Sequence, residues 1–139
     1  MTDETHGLLD TNILIRRREI DHAQLPAVMS IGAVTLAELS AGPHHTSDPQ
    51  ERARRLDLLQ RVEAEFEPLP FDAEAARAFG RVSAAVLAAG RKPRRRLADL
   101  MIASIAVSNR LPLFTASPGG FDGLGDLLTV VPVALPNDQ

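Results

Sequence analysis

The chain has 139 residues, which suits one domain with a single core, and 45% of them are hydrophobic. It contains no cysteine, which excludes disulfides, thiolate metal sites and cysteine nucleophiles and fits a reducing compartment. The net charge of −3 argues against a nucleic-acid binder, yet eleven of the fifteen Lys and Arg fall in three clusters, Arg16–Arg18, Arg52–Arg55 and Arg91–Arg96, and clustered cations create local positive fields.

Residues 7–10 read as a short buried strand that enters a helix at Thr11–Arg18. Residues 27–33, AVMSIGA, read as a second strand. A helix opens at Thr35 and stops at the Gly-Pro after Ala41. Over Asp48–Phe66 the apolar residues Ala53, Leu56, Leu59, Val62 and Phe66 recur every three or four positions, the stripe of an amphipathic helix. The segment Glu67–Phe71, EPLPF, is too rich in proline for a central strand and reads as an edge. Asp72 is a good N-cap for an alanine-rich helix over Asp72–Ala89. After the loop GRKPRRR, residues Leu97–Arg110 form a helix apolar nearly all round, which predicts burial. Leu111–Thr115 is a strand, Ser117–Asp126 a glycine-rich loop, and Leu127–Val133 a last short strand.

Strands and helices alternate along the whole chain. That pattern predicts a single α/β domain over residues 1–139, with a parallel sheet of about five strands between two helical layers. The acidic, polar N-terminus is unlike a signal peptide, and no apolar run reaches the ~18 residues of a membrane span. The expectation is a soluble cytoplasmic protein that does not engage a membrane. Tyr and Trp are absent, so aromatic platforms for base stacking are not expected.

Three acids do not fit their surroundings. Asp10 lies in the apolar run GLLDTNILI, where a carboxylate is costly unless paired, hydrogen-bonded or holding a metal. As a helix N-cap it would contribute about 1 kcal/mol. Glu38 lies in VTLAELSAG, where Thr35-x-x-Glu38 matches the capping box. Asp99 is the only charge between Leu97 and Ser108, and its interaction with the helix dipole would contribute ~0.3–1 kcal/mol. Each acid has a structural explanation by itself. Together they fall just past strands or in first helical turns, at one edge of the predicted sheet, where functional crevices of open α/β sheets lie. Three clustered carboxylates repel, so some must protonate or share a cation. Oxygen ligands without His or Cys suit Mg²⁺ or Mn²⁺.

These residues resemble the PIN-domain ribonucleases, and among them the VapC-type toxins of VapBC toxin–antitoxin pairs. LLDTNILI is similar to the family's first-strand motif, with Asp10 as its acid. VTLAELSAG is similar to the second, with Glu38, and LADLMIASIA followed by NRLPLFT to the third, with Asp99 and with Thr115 closing the next strand. The resemblance covers nearly the whole chain. It implies a three-layer α/β/α PIN-like fold, Mg²⁺- or Mn²⁺-dependent endoribonuclease activity, a homodimer, and a VapB-type antitoxin partner. One departure stands out. Many relatives carry a fourth acid just before the phenylalanine of the last loop, where this chain has Gly120. The nearest acid is Asp122.

In that frame Asp10 and Asp99 are the expected metal ligands, with Glu38 completing the site directly or through water. Asn12 and Thr115 are expected to orient the carboxylates, although Asn12 serves equally well as a helix-turn hydrogen bonder. Arg94, Arg95 and Arg96, just before the helix that bears Asp99, are expected near the crevice mouth, where guanidinium forks suit RNA phosphates. His44 and His45 fit solvent-exposed loop positions. The competing reading is a PIN-fold RNA-binding or interaction module with a weak or inactive site, which Gly120 keeps open. A haloacid-dehalogenase-type phosphatase would want an acid two residues after Asp10, where Asn12 stands. No G-x-G-x-x-G follows the first strand, against a dinucleotide fold.

Overall fold

In a computed structural model, residues 6–136 are described. The strands are β1 (His6–Leu9), β2 (Val28–Ser30), β3 (Leu113–Thr115) and β4 (Val130–Pro132). The α-helices are α1 (Thr11–Arg16), α2 (Ala33–Ala41), α3 (Pro49–Glu65), α4 (Ala73–Ala88) and α5 (Leu97–Asn109). The strands form one sheet in the order β2-β1-β3-β4, parallel throughout.

Alternation along the strands divides the core into two layers. Leu8 and Leu113 face one side and pack with Val82 and Val86 of α4 and Leu100, Ile102 and Ile105 of α5. Leu9 and Phe114 face the other and pack with Ile13 and Leu14 of α1, Leu39 of α2 and Val62 of α3. The result is helices on both faces of the sheet, and it buries all of these side chains. Gly7 is dictated by the same packing. A Cβ there would come within 2.3 Å of the Phe114 ring.

Local chemistry sets most helix starts. Asp48 and Asp72 cap α3 and α4 through backbone bonds to Gln50 and Ala75, which leaves fewer unpaired amides in each first turn. No described helix is long and apolar enough to cross a membrane.

Three expectations are corrected. The sheet has four strands among the described residues. The predicted edge at Glu67–Phe71 contributes only one parallel bridge, Gly32 to Leu69. Pro68 and Pro70 lack the N–H groups a ladder needs, so Leu69 alone pairs, donating to the Ile31 carbonyl and accepting from Ala33. The first helix ends at Arg16 and tightens into a 3₁₀ turn over Arg17–Glu19. The third correction concerns the capping box. Helix α2 begins at Ala33 behind Gly32, with no side-chain cap. Thr35 is therefore inside the first turn and Glu38 in the second, so the two form no capping box.

Candidate functional site

The sheet topology brings Asp10 and Thr115 together. Asp10 follows the last residue of β1, Thr115 ends β3, and these strands are neighbours in parallel register. The Asp10 amide donates to the Phe114 carbonyl at 2.9 Å, which turns its side chain into the crevice at the carboxyl ends of the strands. One carboxylate oxygen, Oδ1, accepts from the Thr11 amide at 2.8 Å, so Asp10 does cap α1. The other, Oδ2, accepts from the Thr115 hydroxyl at 2.8 Å. Both oxygens thus have donors, and neither donor carries charge.

Asp10 is 4% exposed. Burial above all, joined by the charges of Asp99 and Glu38, pushes its pKa up to about 6 against the bonds from Thr115 and the Thr11 amide. Asp99 and Glu38 are the acids whose charges act on Asp10.

Glu38 is exposed on the rim, and its Oε1 accepts from the Thr11 hydroxyl at 2.6 Å. The Thr11 hydroxyl also meets that of Thr35 at 2.9 Å. Thr35 is fully buried, so this pair of hydroxyls ties α2 to the start of α1. The sequence reading missed Thr11 and gave Thr35 to a cap. The signal was present: two threonines, one directly after Asp10 and one in the helix that carries Glu38.

Asp99 lies in the first turn of α5, half-buried, with Arg96 Nη1 3.6 Å from its Oδ2. Asn12 links α1 to the loop after β3. Its Oδ1 accepts from the Ala116 amide at 3.3 Å, and its Nδ2 donates to Ser117 Oγ at 3.3 Å. Thr115 Oγ1 further accepts from the Ser117 amide at 3.0 Å. Asp122 is largely exposed, and its nearest cation is Arg91 at 3.7 Å. Gly120 faces the site: a Cβ there would lie 2.8 Å from Arg96 Nη1 and 3.8 Å from Asp99 Oδ2.

The acids form a gradient from buried Asp10, through Asp99, to exposed Glu38. The donor set is all oxygen, and mutual repulsion falls on its most buried member, so a hard divalent cation fits it. The carboxylates are not drawn into a closed cage. Among the described residues, no group of three or more His, Asp or Glu side chains stands in ready metal-holding geometry.

The basic clusters divide. Arg16 and Arg17 pair with Glu19 and Glu65, and Arg17 also lies over the Phe66 ring. Arg54 and Arg55 pair with Glu51, and Arg52 bonds the Pro43 and Thr46 carbonyls. In the third cluster Lys92 and Arg94 are exposed and make no ion pair among the described residues.

Residues 7–121 match the PIN domain family. Ribonuclease VapC5 of Mycobacterium tuberculosis is 38% identical over 117 residues, covering 82% of this chain and 84% of that protein. Among solved structures, a member of the VapBC family of toxin–antitoxin systems, VapBC-5 of Mycobacterium tuberculosis, aligns with a TM-score of 0.78 at 34% identity, over 93% of this chain and 99% of that one. FitAcB of Neisseria gonorrhoeae shares the fold alone, with a TM-score of 0.67 at 24% identity over 88% of this chain and 95% of that one.

Proposed function

This chain belongs to the PIN domain family, and from that premise we propose that it is a Mg²⁺- or Mn²⁺-dependent endoribonuclease, the VapC-type toxin of a toxin–antitoxin pair. The observation that carries the reading is Asp10. It is a buried carboxylate at a strand end with two further acids acting on it, and among the described residues it has hydrogen-bond donors but no ion-pair partner. A structural cap needs none of that repulsion. A site that recruits a divalent cation does.

Asp10 and Asp99 would hold the ion, and Glu38 would complete its shell directly or through water. A bound Mg²⁺ lowers the pKa of its water and polarises a phosphoryl oxygen. The remaining work belongs to the chain. Thr115 and the Thr11 amide fix the two oxygens of Asp10, and such supporting bonds matter for metal affinity. Thr11 holds Glu38 on the rim. Asn12 joins α1 to the loop after Thr115, keeping both strand ends in register. Arg94 and Arg96 lead into the helix that carries Asp99 and would hold the RNA backbone, positioning the strand without reading its sequence; the side chain of Arg95 lies outside the described residues. The partners that go with this reading are a VapB-type antitoxin and a second copy of the chain, in the cytoplasm.

The test is incubation of purified, antitoxin-free protein with mixed cellular RNA, with and without Mg²⁺ or Mn²⁺. The expected result is cleavage that requires the ion and is abolished by Asp10→Asn and by Asp99→Asn. Folded protein that binds neither ion would support the inert PIN-fold module instead. Wild-type cleavage in either variant would remove that residue from the ligand set.

A further inference from the structure

We propose that a cleft beside Asp99 is a phosphate subsite for the substrate RNA strand, with Lys92 and Arg96 as its phosphate contacts. This rests on the ribonuclease reading and adds to it a location for the backbone next to the acids.

The cleft lies between the C-terminal end of α4, the first turn of α5 and the turn at Pro118–Phe121. Its volume is about 370 Å³, within the range of small-ligand sites. Buried Val86 and Leu100 wall it, and bare backbone at Gly90 and Gly120 leaves it open. Three cations line it, Arg91, Lys92 and Arg96, against a single carboxylate, Asp122. The lining is therefore net positive on a protein that is net negative.

The three cations are not equivalent. Arg91 donates to the Gly119 carbonyl at 3.0 Å and faces Asp122 at 3.7 Å, so it pins the 118–121 turn to the end of α4. Lys92 is exposed and makes no ion pair among the described residues. Arg96 reaches Asp99 only at 3.6 Å, longer than a good hydrogen bond, and its guanidinium lies against Gly120. Any side chain at position 120 would contest that place, since a Cβ would stand 2.8 Å from Nη1. Glycine there lets Arg96 span from the cleft to the acid centre. A phosphate in the cleft would then share one guanidinium with Asp99, and the planar fork suits its oxygens. In the other two clusters Arg16, Arg17, Arg52, Arg54 and Arg55 are engaged by carboxylates, carbonyls and a ring, whereas Lys92 and Arg96 line a cleft that adjoins Asp99.

The experiment titrates fluorescein-labelled single-stranded RNA of mixed sequence with the full chain in EDTA, across a range of KCl, followed by anisotropy. EDTA keeps cleavage and metal binding out of the measurement. Lys92→Gln and Arg96→Gln are compared with wild type and with Arg54→Gln, the same charge change on α3. Thermal unfolding checks that each variant folds. Each cleft variant is expected to flatten the log–log salt slope by about 0.7, so that its deficit against wild type grows about fivefold for each tenfold fall in salt. Arg54→Gln is expected to match wild type. Cleft variants that bind as wild type does, or only as poorly as Arg54→Gln, would overturn the subsite. So would loss of antitoxin binding with RNA binding intact, which would make the cleft a protein contact. Failure of the subsite alone leaves metal-dependent cleavage by the wild type in place. Wild-type protein that neither binds nor cleaves RNA overturns the ribonuclease reading as well.

Discussion

Replacing Asp10 by Asn should stabilise the metal-free protein at neutral pH. Asp10 is buried, and its pKa rises from 3.8 to about 6. The unfolded chain releases this proton near 3.8 and the folded chain near 6. Between those values the folded state binds more protons, so stability falls as pH rises through the window, and the full penalty holds above it. A shift of that size corresponds to ~3 kcal/mol, at 1.36 kcal/mol per pKa unit. Asn is nearly isosteric. Its carbonyl oxygen can still accept from the Thr11 amide, and the Thr115 hydroxyl can rotate to accept from its NH₂ group. Urea unfolding in EDTA, followed by circular dichroism, measures the difference between Asn variant and wild type. The expected gain is ~3 kcal/mol at about pH 8, roughly half of it at about pH 5, and little at about pH 4. Excess Mg²⁺ should then stabilise wild type more than the variant, because a ligand that binds only the folded state adds stability by mass action. A gain that does not change between about pH 5 and pH 8, or a variant less stable than wild type at pH 8, would refute the account of Asp10 as a buried, uncompensated charge.

Glu38→Gln should leave stability unchanged, because glutamine still accepts from the Thr11 hydroxyl and no capping box exists to lose; calorimetry should show weaker Mn²⁺ binding, and unchanged affinity would take Glu38 out of the metal site. Thr115→Val removes the donor to Asp10 Oδ2 and the acceptor of the Ser117 amide, and should cost ~1–3 kcal/mol in urea unfolding. The same change should raise the Asp10 pKa further, since that bond holds it down; an unmoved carboxyl titration by NMR would contradict this. Gly120→Asp places the new carboxylate against the Arg96 guanidinium, so the two should neutralise each other and Mn²⁺ affinity should not rise. Combined with Arg96→Gln, the same substitution should tighten Mn²⁺ binding, and tightening by Gly120→Asp alone would show that Arg96 does not control that corner.

Much of the molecule follows from the sequence alone. Alternating elements specify a parallel α/β sheet, because crossover helices are what join parallel strands. Asp48 and Asp72 announce the starts of α3 and α4, because capping is chemistry local to a few residues. The three acids are visible as charges in apolar surroundings. What the sequence could not reveal depends on contacts between distant segments. The Thr35-x-x-Glu38 pattern fits a cap locally, but Leu69 supplies the acceptor for the Ala33 amide, and the helix starts there instead. That earlier start turns Thr35 inward to Thr11 and leaves Glu38 on the rim. The same holds at Gly120. As sequence it is only an acid lacking, whereas in the fold it is the space against which Arg96 lies beside Asp99. Local propensity fixes which residues can cap, turn or carry charge, and only tertiary packing decides which hydrogen-bond partner from a distant segment is near enough to win.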